Sequence, residues 1–283
     1  MWNVGRGGFS QGLGDPEAIK LGTSYQKDEG EGEFLQKYER RLKDAELMEA
    51  LEGVFDARTL SYVSDLLRRG VISRFVTNIS EGKEARVYLA ESGTDLVVVK
   101  IYFTGSSDYY KTMPLYMQGD PRFSRIRKSR REIVETWARK EYANLALAFG
   151  SGIHVPRPWA VRGNVLVMDL LGDESGPAPR LKDVKLSGQQ WKETYRALIS
   201  DLELLVTKAG LVHADLSEYN VLYWKQNPYM IDFGQAVLTS HPHAEEFLRR
   251  DLSNMTSFFA KKGIGLKEAS EEELVRKWLA LSP

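Results

Sequence analysis

The stretch from His213 to Gly234 leaves this chain few ways to fold. It reads His213-Ala214-Asp215-Leu216-Ser217-Glu218-Tyr219-Asn220, then Val221-Leu222-Tyr223, and closes on Ile231-Asp232-Phe233-Gly234. Asp215 and Asn220 lie five apart between the pieces Gly210-Leu211-Val212 and Val221-Leu222-Tyr223. That layout suits a tight loop between two buried segments, with polar side chains at its rim. Tyr229-Met230-Ile231 then delivers Asp232, with a flexible glycine close behind. Asp, Asn and Gly are common in turns, so either half alone says little. Both halves in this order, with eleven residues between Asn220 and Asp232, point to a nucleotide-phosphate site. Phosphoryl transfer needs one carboxylate to receive or orient the attacking hydroxyl. It also needs an amide and a second carboxylate to hold the magnesium that neutralises the phosphates.

At 283 residues the chain has ample material for one large or two small domains. Lys plus Arg and Asp plus Glu stand at 39 each, so net charge predicts no polyanionic partner, although a local patch can still provide one. The absence of cysteine excludes a disulfide framework and any thiolate metal site. No basic start leads into an apolar stretch, and no apolar run is long enough to cross a bilayer. The expectation is a soluble, cytoplasmic monomer.

Periodicity divides the chain. Residues Met1 to Gly32 hold eight of the 24 glycines and few large apolar side chains, which predicts a flexible tail. Glu33 to Leu51 and Asp56 to Arg69 carry apolar residues at near-helical spacing, and Gly70 stops the second run. These form a helical extension over 33–75. Val76 to Ala90 and Asp95 to Phe103 read as antiparallel strands, as does Val161 to Asp169. Helices are expected over Ser129 to Phe149, Trp191 to Lys208, Ala244 to Lys262 and Leu266 to Leu281. A β-rich lobe over 76–168 thus precedes a helical lobe over 169–283, an α+β architecture with the chemistry at the boundary.

Other residues complete the constellation. Lys100 ends the run Leu96-Val97-Val98-Val99, so its ammonium is expected to project from the end of that strand toward the α- and β-phosphates of a nucleotide. Glu141 is the favoured partner for Lys100 over Glu132 and Glu135, because Trp137, Tyr142 and Leu145 mark its part of the helix as buried. Ser80-Glu81-Gly82-Lys83-Glu84-Ala85 lies between two strands, where Ser80, Lys83 and exposed backbone N–H groups can meet phosphate oxygens. Met168-Asp169-Leu170-Leu171 joins the lobes. Its backbone at Asp169 and Leu171 can hydrogen-bond an adenine, with Met168 packed behind the ring.

These residues carry a family resemblance. The chain resembles protein-kinase-like enzymes and, within them, the RIO kinases of the type-one, archaeal-like kind. The likeness rests on Ser80 to Ala85 in place of a triple-glycine loop, on His213 to Asn220, and on the segment His241 to Asp251. It covers roughly Phe55 to Ala260. It implies ATP with magnesium or manganese, autophosphorylation on serine, and a role in maturation of the small ribosomal subunit. By position it makes Lys100 the phosphate lysine and Asp215 the catalytic acid, with Asn220 and Asp232 as metal ligands. It also implies ATP hydrolysis with a phosphorylated aspartate, so Asp232 becomes both ligand and acceptor. Two departures from ordinary protein kinases stand out. Ser217 replaces a lysine that contacts the transferred phosphate, and the short stretch from Gly234 to Ala244 leaves no long activation segment.

Two rival readings remain. A small-molecule phosphotransferase of the aminoglycoside or choline type also uses a short His-x-Asp loop, but the helical half offers no acidic cluster for a cationic substrate. A ribosomal RNA binding module gated by nucleotide would use Arg122, Arg125, Arg127, Lys128, Arg130 and Arg131, six cations in ten residues. His241 and His243, lacking a cysteine or a carboxylate pair, are a poor zinc set.

Overall fold

The computed structural model describes residues 48–105, 111–123, 129–265 and 270–283. The tail expected over Met1 to Gly32, most of the helix expected over Glu33 to Leu51, and Arg125, Arg127 and Lys128 lie outside the described residues. Helix α1, Ala57–Arg68, starts at Asp56, whose carboxylate accepts from Arg58 N and Thr59 N at 3.1 and 3.0 Å. It ends where Gly70, at φ 70°, adopts the left-handed conformation that closes a helix.

Strands β1 (Arg74–Glu81), β2 (Ala85–Ser92), β3 (Asp95–Tyr102), β4 (Pro158–Arg162) and β5 (Val165–Asp169) form one antiparallel sheet in the order β1-β2-β3-β5-β4. Alternation sets the faces of β3. Val97, Val99 and Ile101 are buried with Leu51, Val63 and Leu66 beneath α1, while Val98 and Lys100 turn to the other face. Lys100 therefore reaches the cleft by strand alternation and not from a strand end, since β3 runs on to Tyr102. The single strand expected over Val161 to Asp169 is a hairpin. Gly163 at φ 56° turns the chain, and Val161 pairs with Leu166.

A short helix α2 (Met113–Met117) precedes α3 (Arg130–Gly150), which Ser129 caps. The helical lobe contains α4 (Gly188–Thr207), α5 (Ala244–Ala260) and α6 (Glu271–Ala280). Helix α4 begins three residues before the expected Trp191, because Ser187 and Gln190 form a reciprocal capping box. Leu198, Leu202 and Leu205 of α4 pack with Leu248, Leu252 and Met255 of α5 and Val275 and Trp278 of α6. The loop expected over Gly172 to Pro179 holds a tiny ribbon, β6 (Gly172–Asp173) with β7 (Gly176–Pro177). Two more ribbons frame the acid-bearing loop: β8 (Leu211–Val212) with β11 (Val237–Leu238), and β9 (Val221–Trp224) with β10 (Asn227–Met230). Among the described residues no helix is long and apolar enough to cross a membrane.

Candidate active site

The loop between β8 and β9 and the turn after β10 are pinned to each other. Ile231 N–H donates to the Asn220 carbonyl at 3.0 Å, and the buried His213 ring donates from Nε2 to Ile231 O at 3.0 Å. A carbonyl only accepts, which assigns the proton to Nε2. Burial pushes the His213 pKa down to about 4, so the ring is a neutral strut. It packs in a T-shaped contact with Phe233, ring centroids 4.7 Å apart. Two non-glycine residues of the site take positive φ, Ala214 at 65° and Asp232 at 66°. Such conformations persist only where surrounding bonds enforce them.

Lys100 is the hub. Its Nζ lies 2.9 and 3.0 Å from the two Glu141 oxygens and 2.9 Å from Asp232 Oδ1. Burial disfavours the ammonium, but Asp232 and Glu141 outweigh it and raise the Lys100 pKa. Burial pushes Glu141 up to about 7 against the pull of Lys100. Asp232 moves the other way: its surroundings disfavour charge, yet Lys100 holds its carboxyl below the usual range. With its side chain 46% exposed, Asp232 still opens onto the cleft and can bind a cation.

Asn220 Nδ2 donates to Asp215 O at 2.9 Å and to Asp215 Oδ2 at 3.3 Å. That leaves the amide oxygen of Asn220 for a cation. Gln235 Nε2 also donates to Asp215 Oδ2, at 3.1 Å. Burial, and then the charge of Asp232, raise the Asp215 pKa, in the direction a proton acceptor needs. Among the described residues no three acids or histidines converge as a metal cage. A cation here would be shared by Asn220, Asp232 and a ligand's own oxygens.

A cleft of about 400 Å³ opens beside these groups. Ser80, Lys83, Lys100, Glu141, Met168, Asp169, Leu171, Asn220 and Asp232 all line it. Val87 and Val98 face it from the sheet, Leu222 and Ile231 from the helical lobe, an apolar slot fit for a flat ring. Asp215 is not among the lining residues and joins the site through Asn220. The Asp169 carboxylate is committed elsewhere, receiving Trp159 Nε1 at 2.5 Å and Arg157 N at 3.3 Å, so only its backbone serves the cleft.

Sequence reasoning missed several supports. Asp251, buried in α5, accepts from the backbone N–H of Ala214 and Leu216 at 2.7 and 2.8 Å. An acid between Leu248 and Leu252 on the apolar stripe of α5 was the available signal. Lys140, also buried, donates to Gly234 O at 2.9 Å and to Ala236 O, and burial lowers its pKa to about 7. Asn144 Nδ2 donates to Phe233 O and Ala236 O at 3.1 and 2.8 Å. In the basic segment, Arg122 pairs with Asp120 at 2.6 Å, Arg131 pairs with Asp56 at 2.7 Å, and Arg130 donates to Gly105 O. His241 Nε2 meets Leu115 O at 2.9 Å.

A sheet lobe and a helical lobe meet at a cleft whose lysine–glutamate pair faces an acid–amide loop and a second acid on a tight turn. That arrangement defines the protein-kinase-like class. The RIO domain family model matches residues 86–274. The RIO-type serine/threonine-protein kinase Rio1 of Haloferax volcanii is 40% identical over 252 residues, covering 89% of this chain and 83% of the relative. The same-named protein of Methanocaldococcus jannaschii is 38% identical over 252 residues with the same coverage. The solved Rio2 kinase of Chaetomium thermophilum, an ADP/Mg2+-phosphoaspartate complex, superposes with a TM-score of 0.62 at 20% identity, covering 78% of this chain and 65% of that one. That last likeness shows the fold alone. The chain belongs to the RIO family, in its type-one branch, and is a RIO-type atypical protein kinase. Membership in this family sets aside the small-molecule phosphotransferase.

Proposed function

We propose that the chain binds ATP with magnesium in the cleft, autophosphorylates on serine, hydrolyses ATP, and acts in the cytoplasm in maturation of the small ribosomal subunit. The observation that carries the nucleotide reading is the three-way meeting of Lys100, Glu141 and Asp232 within 2.9–3.0 Å beside an apolar slot. The donor set fits magnesium: one carboxylate, one amide oxygen, and room for phosphate oxygens and water. When bound, magnesium neutralises charge that develops on the transferred phosphoryl group. Manganese suits the same donors.

The chain's own residues do the rest. Lys100, held by Glu141, anchors phosphate oxygens, while Ser80 near the end of β1 and Lys83 in the β1–β2 turn cover them. Asp215 orients the attacking hydroxyl and takes its proton as the new phosphorus–oxygen bond forms and the bond to ADP breaks. In the hydrolytic branch Asp232 Oδ attacks the terminal phosphorus, ADP leaves, and water then cleaves the acyl phosphate. The phosphoaspartate named in the Rio2 relative's complex supports this branch. Docking on precursor rRNA would use the basic segment Arg122 to Arg131, with Arg122 and Arg131 already engaged by Asp120 and Asp56.

One experiment tests the core. Incubate terminally labelled ATP and Mg2+ with wild type, Asp215→Ala and Asp232→Asn, then locate the label and count free phosphate. Wild type becomes labelled and releases phosphate, and both variants lose at least about 100-fold. Mild hydroxylamine cleaves acyl phosphates and leaves phosphoserine, so release of no label at all would exclude the aspartyl phosphate. Undiminished hydroxylamine-resistant labelling of Asp215→Ala would overturn the assignment of the acid.

A further inference from the structure

Outside the cleft, α1 and α3 share a polar seam that the chemistry above does not use. Asp56 accepts from Thr104 Oγ1 and from Arg131, each at 2.7 Å. The Tyr62 hydroxyl donates to Glu135 Oε1 at 3.0 Å and accepts from Arg58 Nε at 2.7 Å. A second set of bonds ties α1 to the sheet. Asn164, in the β4–β5 turn, exchanges bonds with Thr59 at 3.2 and 3.1 Å and donates to Tyr102 O at 2.6 Å. Arg162 reaches Asp65 at 3.0 Å.

These contacts close a triangle. Helix α1 holds the sheet on one side and α3 on the other, and Lys100–Glu141 joins sheet to α3 on the third side. Glu135 precedes Glu141 by six residues, so the seam grips α3 about 9 Å from the glutamate that meets Lys100. The inner face of α3 buries Lys140, Glu141 and Asn144, all of which need partners at fixed positions. A small slide or rotation of α3 would leave them unmet at high cost. The α3 side of the seam is shielded, with the Glu135 side chain only 14% exposed and that of Arg131 24%, while Asp56 and Arg58 on the α1 side are open to solvent. Tyr62 is locked too, because its ring lies against Gly163, where an added Cβ would fall 2.0 Å from it. Helix α1 lies outside the residues 86–274 that match the RIO domain, so the brace is an addition to that core.

We propose that this seam is a positioning device for the phosphate-binding pair. Tyr62 and Glu135 act as positioning residues that hold α3 in the register where Glu141 meets Lys100, and they touch no nucleotide themselves. The inference rests on the ATP reading given above.

The test compares two ligands on the full chain by titration calorimetry, Mg·ATP and adenosine, since adenosine lacks the phosphates that Lys100 would hold. The proteins are wild type, Tyr62→Phe, Glu135→Gln, Lys100→Ala and the double variants with Lys100→Ala, with a denaturant melt of each to confirm folding. Tyr62→Phe and Glu135→Gln are expected to weaken Mg·ATP roughly fivefold and leave adenosine unchanged. In the Lys100→Ala background neither is expected to cause any further loss. An unchanged ratio of Mg·ATP to adenosine affinity in both variants, with only the melting midpoint shifted, would reduce the seam to a structural staple and overturn the proposal. A fivefold loss that persists without Lys100 would overturn it equally. If Lys100→Ala alone kept wild-type affinity for Mg·ATP, the phosphate role of Lys100 itself would be wrong, which is a different failure.

Discussion

Asp251 Oδ2 accepts the backbone N–H of Ala214 at 2.7 Å, fastening helix α5 to the loop that carries Asp215. Its other oxygen takes Leu216 N–H at 2.8 Å, and Asn254 Nδ2 donates to Leu216 O at 3.0 Å. Ala214 sits at φ 65°, a conformation costing on the order of 1–3 kcal/mol for a residue with a side chain. The Asp251 clamp offsets that cost and aims Asp215.

Asp251→Asn should therefore loosen the loop without changing its shape or volume. An amide offers one acceptor where two donors wait, and its NH2 end faces an N–H group. The loss should be about 1–3 kcal/mol in a urea melt, and the turnover of labelled ATP should fall more than ATP affinity does. A variant with wild-type turnover would show that the clamp does not position Asp215.

The same residue predicts a pH signature. Burial pushes Asp251 up to about 7 from 3.8, against the pull of its two N–H donors and Arg250. A folded-state pKa above the unfolded one gives stability that is present below pH 3.8 and lost as pH rises through about 7. Glu141 titrates in an overlapping window, so the informative quantity is the difference between wild type and Asp251→Asn. The variant's stability should fall less steeply with pH across that range, and identical slopes would contradict the assignment.

Lys100→Ala should behave in the opposite way to a simple loss of contact. Glu141 is buried and would lose its ammonium partner, so its pKa must climb beyond its present value of about 7. Its unfolded value is 4.5, and the sign again gives stability present at acidic pH and lost as pH rises. Thermal melts from pH 5 to pH 8 should show a modest deficit at the acid end, where Asp232 has also lost its Lys100 partner, and a deficit that widens as pH rises. At the alkaline end it should fall several kcal/mol below, because an unpaired buried carboxylate is costly. A constant difference across the range would mean that Glu141 finds another partner.

How much of this was visible before folding depended on whether a signal was local. Asp215, Asn220 and Asp232 stand in one short stretch, whereas the unbroken apolar run Leu96 to Val99 marks a strand before Lys100 without the alternation that would show which face the lysine takes. The break at Gly163 was also local and still went unread, because the apolar run from Val161 to Asp169 looks continuous when hairpin strands are both half-buried. Glu141 was separable from Glu135 and Glu132 by the apolar Trp137, Tyr142 and Leu145 around it, but nothing local showed what the other two meet. In the fold Glu141 meets Lys100, Glu135 meets Tyr62, and Glu132 accepts from the Ser129 hydroxyl at 2.8 Å. Asp251, Lys140 and Asn144 were invisible for a different reason. Each satisfies backbone groups 35 to 96 residues away in the chain, and no periodicity encodes a partner that distant.

Gly234 gives the sharpest packing test. A Cβ built there would lie 2.8 Å from Trp137 Nε1 and 3.0 and 3.1 Å from Cε2 and Cζ2 of the same buried indole. The indole cannot swing away, because α3 is fixed through Lys140 and Asn144 to the carbonyls of residues 233, 234 and 236. Gly234→Ala should cost about 1–3 kcal/mol by overpacking. It should also weaken Mg·ATP binding, since Asp232 is two residues away on the same strained turn. Trp137→Phe deletes the crowding atoms and leaves a gap of its own. The double variant should thus be more stable than the sum of the two single changes predicts, by about 0.5–3 kcal/mol in a denaturant double-mutant cycle. Strict additivity would place the strain of Gly234→Ala in the backbone and not against the indole.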